Sequence, residues 1–261
     1  MTDHAYETIL YEVGADHVAT ITLNRPDVLN AFNRTMCNEM RDAWGRVKDD
    51  PAVHAVVLRA AGDRAFCAGL DVRSPYGQPD DIWNHEDPGE LLSPKWQKVW
   101  KPVVCAVQGI CTAGAMYFLN ESDVVICSSD ATFFDSHVTY GMVSALEPVG
   151  MMRRIGLAHT LRMALSGNDE RVTAATALQI GLVTEVVDRP VLWERAHEIA
   201  AGIAAKPSAA TQGTVRAIWD SLDRPYRAAM EQGLIYTRVG NPIGMAEVAE
   251  NPPTRTEPRL R

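Results

Sequence analysis

Two stretches of this 261-residue sequence leave room for a reacting group to approach the backbone. "AFCAGLDVR" (65–73) and "GICTAGAMY" (109–117) each set Ala-Gly just beyond an apolar run that reads as a buried strand. That is the end of a strand at which open α/β sheets bind ligands. A glycine inside an element costs roughly 0.5–1 kcal/mol in backbone entropy, so something must repay it. A helix beginning near Ala113 leaves its first amides without intrahelical acceptors, free to meet an anion or a polarised carbonyl. Two such amides aimed at one oxygen would form an oxyanion hole. For either stretch alone, tight strand–helix packing accounts for the small residues equally well.

The elements that must position these turns follow from periodicity. "HVATITL" (17–23) alternates and is β-branched, a strand ended by "NRPD". Asn33 is a helix cap, and Met36, Met40, Trp44 and Val47 recur at helical spacing until Asp50-Pro51. "AVVLRA" (55–60), "VVCAV" (103–107) and "DVVIC" (123–127) are continuous apolar runs, the mark of strands buried on both faces of a parallel sheet. Helices are predicted between them, over 90–100 and 113–120. The fold class is α/β with right-handed crossovers. Residues 74–89, with three prolines and four acidic residues, read as a long surface loop of the kind that forms lids, with His85 solvated in it. Helix is predicted from Val187 to about Val239 with a break at 223–225, then an extended tail.

Composition narrows the function. The formal net charge is −8 and no basic stripe stands out, which argues against a nucleic-acid partner. The first residues lack a basic-then-apolar leader pattern. The apolar stretch 102–119 carries Gln108, Gly109 and Thr112 and reads as core, not as a membrane span. Five cysteines without a C-x-x-C pair read as buried free thiols, and seven histidines form no metal-binding pattern. A cytoplasmic protein with no metal is expected.

The chain resembles the enoyl-CoA hydratase/isomerase (crotonase) superfamily along most of its length. The resemblance is carried by "LNRPDVLNAFN" (23–33), "DPAVHAVVLRAAGDRAFCAGLDV" (50–72), "KPVVCAVQGICTAGAM" (101–116), "SDVVICSSDATFF" (122–134) and "LSGNDERVTAATALQIGLVTEVV" (165–187). It implies a crotonase-like (ClpP/crotonase) spiral of ββα turns over residues 1–195. It also implies a helical region over 196–261 that closes the pocket and assembles a homotrimer or dimer of trimers. The implied partner is an acyl-CoA, with coenzyme A entering as part of the substrate and no permanently bound cofactor. The two amides holding the thioester carbonyl fall on Leu70 and Gly114. Arg25, Leu29, Ala31, Ala68, Gly69 and Asp71 fall along the coenzyme A path, Arg25 being either a phosphate partner or a solvated turn residue.

The two glutamates that flank water in hydratases of the superfamily fall here on Tyr117 and His137, neither a carboxylate. A histidine can accept a proton at neutral pH, whereas a tyrosine donates hydrogen bonds but is a poor base. Glu147 is a third acid/base candidate, from a segment that supplies that group in isomerase-like members. It could equally be a carboxylate favoured at a helix start. Asp135 is a possible partner for a histidine or arginine. "DSH" (135–137) is not read as a Ser-His-Asp triad, because neighbours on an extended strand face opposite ways. Cys67 and Cys111 have no neighbouring base and read as packing. The resulting expectation is hydration or double-bond isomerisation of an enoyl-CoA, with His137 or Glu147 as base. The alternatives are a hydrolase or decarboxylase on the same fold, or an acyl-CoA-binding protein without catalysis.

Overall fold

The computed structural model describes residues 6–74, 83, 87–250, 252, 258 and 259. The chain opens with an antiparallel pair, β1 (Ile9–Val13) and β2 (Val18–Leu23). The Asn33 side chain then accepts the Met36 N–H and starts α1 (Arg34–Asp49), whose Met36, Met40, Trp44 and Val47 are buried. Next come β3 (Ala55–Ala60), β4 (Ala65–Cys67), α2 (Pro88–Leu92), β5 (Val103–Val107), β6 (Ile110–Thr112), α3 (Met116–Asn120), β7 (Val124–Ser128) and β8 (Thr132–Phe134). The chain continues through α4 (Leu146–Ser166), β9 (Val172–Thr173), α5 (Ala174–Gln179) and β10 (Glu185–Val187). It ends in α6 (Leu192–Ala204), α7 (Ser208–Ser221) and α8 (Tyr226–Glu250).

The strands form two sheets. One has the order β1-β2-β3-β5-β7-β10, parallel from β2 onward, and the other β4-β6-β8-β9. Alternate residues of the larger sheet serve two cores, which explains its unbroken apolar runs. Ile21, Val56, Leu58 and Cys105 face α1 and the smaller sheet's Phe66, Cys111 and Phe133. Val18, Ala55, Val57, Val104, Ala106 and Ile126 face Leu192, Ala196 and Ala200 of α6. The expected boundary between residues 195 and 196 therefore falls inside a helix that belongs to the sheet's own core.

The predicted helix over 90–100 is not formed. Helix stops at Leu92, since Pro94 removes a donor and holds Ser93 extended (ψ 122°). Helix runs past Val239 to Glu250, and breaks at residues 205–207 as well as at 222–225. Most of the 74–89 loop, His85 included, and most of the tail after Glu250 lie outside the described residues. All five cysteines are buried and none forms a disulfide.

Candidate active site

The C-terminal ends of β4 and β6 meet over one cavity of about 1290 Å³. Beyond β4, the Phe32 N–H donates to the Gly69 carbonyl and the Phe32 carbonyl accepts the Asp71 N–H, a one-residue parallel bridge. That pairing spends the groups on either side of Leu70 and turns the Leu70 N–H away from Phe32. Beyond β6, residues 113–115 form a single 3-10 turn, and Gly114, its second residue, has an amide with no acceptor inside the turn. Ala113 adopts φ +51°, a strained left-handed conformation for a residue with a Cβ. The two turns are pressed together. A Cβ on Gly69 (φ +84°) would lie 3.2 Å from Gly114 N and 3.3 Å from the Thr112 carbonyl oxygen. Only glycine lets them come this close in that conformation.

Leu29, Ala31, Ala68, Leu70, Asp71, Gly114, Tyr117, His137 and Glu147 all line the cavity, so the structure brings nearly every candidate together. Arg25 and Gly69 stand behind that wall. Arg25 is partly buried, and its guanidinium pairs with Asp71 at 3.0 Å and donates to the Ala31 carbonyl. It ties the 25–31 turn to the 68–71 turn. Burial pushes the Asp71 carboxyl up, but hydrogen bonds from Arg25 and Arg73 outweigh it and hold Asp71 below the usual carboxylate range.

Glu147 enters on the first turn of α4. Its carboxylate lies beside Gly114, with Oε1 3.7 Å from where a Gly114 Cβ would stand. Burial pushes its pKa up, opposed by its own backbone N–H and by His137. His137 Nε2 stands 3.7 Å from Oε1, and His137 Nδ1 is 2.6 Å from the fully buried Asp135. The Asp135 hydrogen bond raises the imidazole's pKa against the opposing effect of burial. β8 ends at Phe134 and His137 begins a 3-10 turn, and Asp135 and His137 meet there. The further donor to Asp135 is Ser144 Oγ, from the segment that leads into α4.

Tyr117 lies across the cavity, its hydroxyl hydrogen-bonded to Asp87. Burial first, then Glu147 and Asp87, raise its pKa far above a useful base. Cys67 accepts the Gly69 N–H, and burial pushes its thiol up to about 12, while Cys111 is raised by burial as well. Both are inert packing. Arg171, stacked on Phe134 at 4.4 Å, also lines the cavity and was not singled out in the sequence, where no motif marks it.

The family model described as enoyl-CoA hydratase/isomerase matches residues 14–238. The chain belongs to the enoyl-CoA hydratase/isomerase family. It is 30% identical over 227 residues to (E)-benzylidenesuccinyl-CoA hydratase of Thauera aromatica, covering 86% of each chain. It is also 30% identical to the mitochondrial Delta(3,5)-Delta(2,4)-dienoyl-CoA isomerase of Rattus norvegicus, over 82% of this chain and 69% of that one. The crystal structure of an enoyl-CoA hydratase/isomerase from Mycobacterium paratuberculosis superposes with a TM-score of 0.86 at 38% identity, covering 95% of both chains. The two layered sheets and helical C-terminal region are the family's fold, and the chain is an enzyme of the hydratase/isomerase type.

Proposed function

We propose that this enzyme shifts the double bond of an enoyl-CoA, with Glu147 as its single shuttling base. The observation that carries this is one buried carboxylate, raised in pKa, set beside Gly114. In this reading the Leu70 and Gly114 amides hold the thioester oxygen. Polarising that carbonyl acidifies the carbon next to it, and one such donor is worth roughly 3–4 kcal/mol in the transition state. Glu147 removes the proton to give a dienolate and returns it two carbons away. One base suffices, so the absence of carboxylates at positions 117 and 137 does not impede it. Leu29, Ala31, Ala68 and Asp71 flank the coenzyme A moiety, and Arg25 acts on it only through Asp71.

Hydration is the second reading, favoured by the 3.7 Å separation of His137 Nε2 and Glu147 Oε1, a pair able to share one water. Product analysis with 2-enoyl, 3-enoyl and malonyl thioesters separates these. Interconversion of the two enoyl thioesters is expected. A 3-hydroxyacyl product supports hydration, and release of carbon dioxide or free coenzyme A would refute both.

We further propose a homotrimer or dimer of trimers, supported by exposed Leu157 and Leu161 on α4 and Met230, Leu234 and Ile235 on α8. Sedimentation as a stable monomer would overturn it. Among the described residues no helix is long and apolar enough to cross a membrane. Five buried cysteines outside any disulfide support a reducing, cytoplasmic location.

A further inference from the structure

His137 is held from behind more firmly than a pocket wall requires. Asp135 is fully buried and accepts three hydrogen bonds: from His137 Nδ1 at 2.6 Å, from the His137 backbone N–H at 3.0 Å and from Ser144 Oγ at 2.5 Å. Burial alone would favour the neutral acid, but these donors outweigh it and keep Asp135 ionised. An ionised carboxylate at Nδ1 can only accept, so the Nδ1 proton stays in place and Nε2 is the atom free to change its protonation. Nε2 is the atom that faces Glu147. Two elements converge here, the turn after β8 and the start of α4, with Ser144 between them in sequence and bonded back to Asp135.

We propose that Asp135, clamped by Ser144, is a positioning residue that fixes the His137 tautomer and aims Nε2 at Glu147, so that one proton passes between Glu147 and His137 during turnover. This rests on the reading of Glu147 as the base. After Glu147 takes the carbon-bound proton, the Oε1–H proton moves to Nε2, leaving a carboxylate and an imidazolium whose Nδ1–H still points at Asp135. The reverse transfer returns the proton to Glu147 for delivery to the substrate. Asp135 takes no proton at any stage. At 3.7 Å the two atoms stand just beyond hydrogen-bond reach, as such pairs often do before substrate tightens them. The ionisable groups bearing on His137 are Asp135 and Glu147, and Glu147 in turn sees Asp87 from the segment before α2 and Tyr117 from α3.

The test is the NMR titration of the His137 imidazole in the full-length enzyme, unmodified and as Asp135→Asn and Ser144→Ala, with pH–rate profiles on a 3-enoyl-CoA. Replacing the carboxylate should move the His137 titration down by about 1 pH unit and Ser144→Ala should move it less, in the same direction. The corresponding limb of the rate profile should follow, with kcat lowered roughly 10–100-fold and KM little changed. A merely structural role would lower the yield of folded enzyme without moving either pH midpoint. Should Asp135→Asn not fold, Ser144→Ala carries the test alone. The proposal is overturned if the imidazole titrates at the same pH in every folded variant, or if its titration moves while kcat does not. The titration needs no substrate, so the Asp135–His137 link can fail while the isomerase reading stands. An enzyme that turns over no enoyl thioester would instead refute the isomerase reading.

Discussion

The protein buries two groups of charged side chains, and they are built differently. At the N-terminal ends of β5 and β7, Lys95 pairs with Asp123 at 2.9 Å, and Asp123 also accepts the Val103 N–H at 2.7 Å and the Trp219 Nε1–H at 2.6 Å. Nearby, Glu121 takes the backbone N–H groups of Lys95 and Trp96, and Arg154 donates to the carbonyls of Asn120 and Ser122. Each charge in that cluster has its partners at hydrogen-bond distance, and a Lys there stays charged only because they surround it. At the cavity, Glu147 has its own backbone N–H and an imidazole nitrogen 3.7 Å away. Burial raises the pKa of Glu121 and Glu147 alike. What separates them is that Glu121 accepts two backbone N–H groups while Glu147 stands beside the cavity with fewer donors. Full satisfaction marks the structural cluster, and incomplete satisfaction beside a cavity marks the reactive one.

Substitutions should break the two clusters in opposite ways. Glu147→Gln removes the base and should cost roughly 10²–10⁴-fold in kcat while leaving Tm and thioester binding nearly unchanged, read by steady-state kinetics beside thermal melts. Lys95→Met should do the reverse. Leaving Asp123 and Glu121 buried without their cation should cost about 3–5 kcal/mol in denaturant unfolding, with kcat per folded molecule intact. If Lys95→Met lowered kcat and Glu147→Gln lowered stability, the distinction between the clusters would be wrong.

A third substitution sharpens the account of the amides. Gly69→Ala sets a Cβ 3.2 Å from Gly114 N at a backbone φ of +84°. It should cost on the order of 10² in kcat if that amide meets the substrate oxygen, measured with KM on an enoyl-CoA.

The smallest effect is a pH dependence of stability. His137 holds a raised pKa, so its contribution is complete below the unfolded value of about 6.5 and is lost as pH rises through the folded value. Asp135 is held below its usual range, so its contribution is present above about pH 3.9 and is lost as pH falls through the folded value. The destabilisation by Asp135→Asn should therefore be greatest between about pH 4 and 6.5, narrowing on either side by on the order of 1 kcal/mol in melts across a pH series.

Much of this was legible in local pattern. The Asn33 cap, the doubly buried strands and the two small-residue turns each depend on neighbours within a few positions, where periodicity and capping chemistry act. Other features depend on contacts far apart in the chain. Arg25 reads as either a phosphate partner or a turn residue until Asp71, 46 positions on, is folded against it. The 90–100 helix is favoured by composition, but Pro94 intervenes and Lys95 and Trp96 are held by Glu121 and Asp123 instead. The meeting of Asp135, His137 and Glu147 depends on the turn after β8 folding against the start of α4, ten positions further along the chain. The sequence marked each of the three residues separately but not the relay they make.

The central claim is that Glu147 moves a carbon-bound proton of an enoyl thioester. The most direct measurement is mass spectrometry of a 2-enoyl-CoA and a 3-enoyl-CoA incubated with the enzyme in deuterated water, unmodified and as Glu147→Gln. The account predicts that the unmodified enzyme interconverts the two and introduces deuterium at carbon, and that Glu147→Gln does neither. A product heavier by one water, or deuterium exchange undiminished in Glu147→Gln, would contradict it.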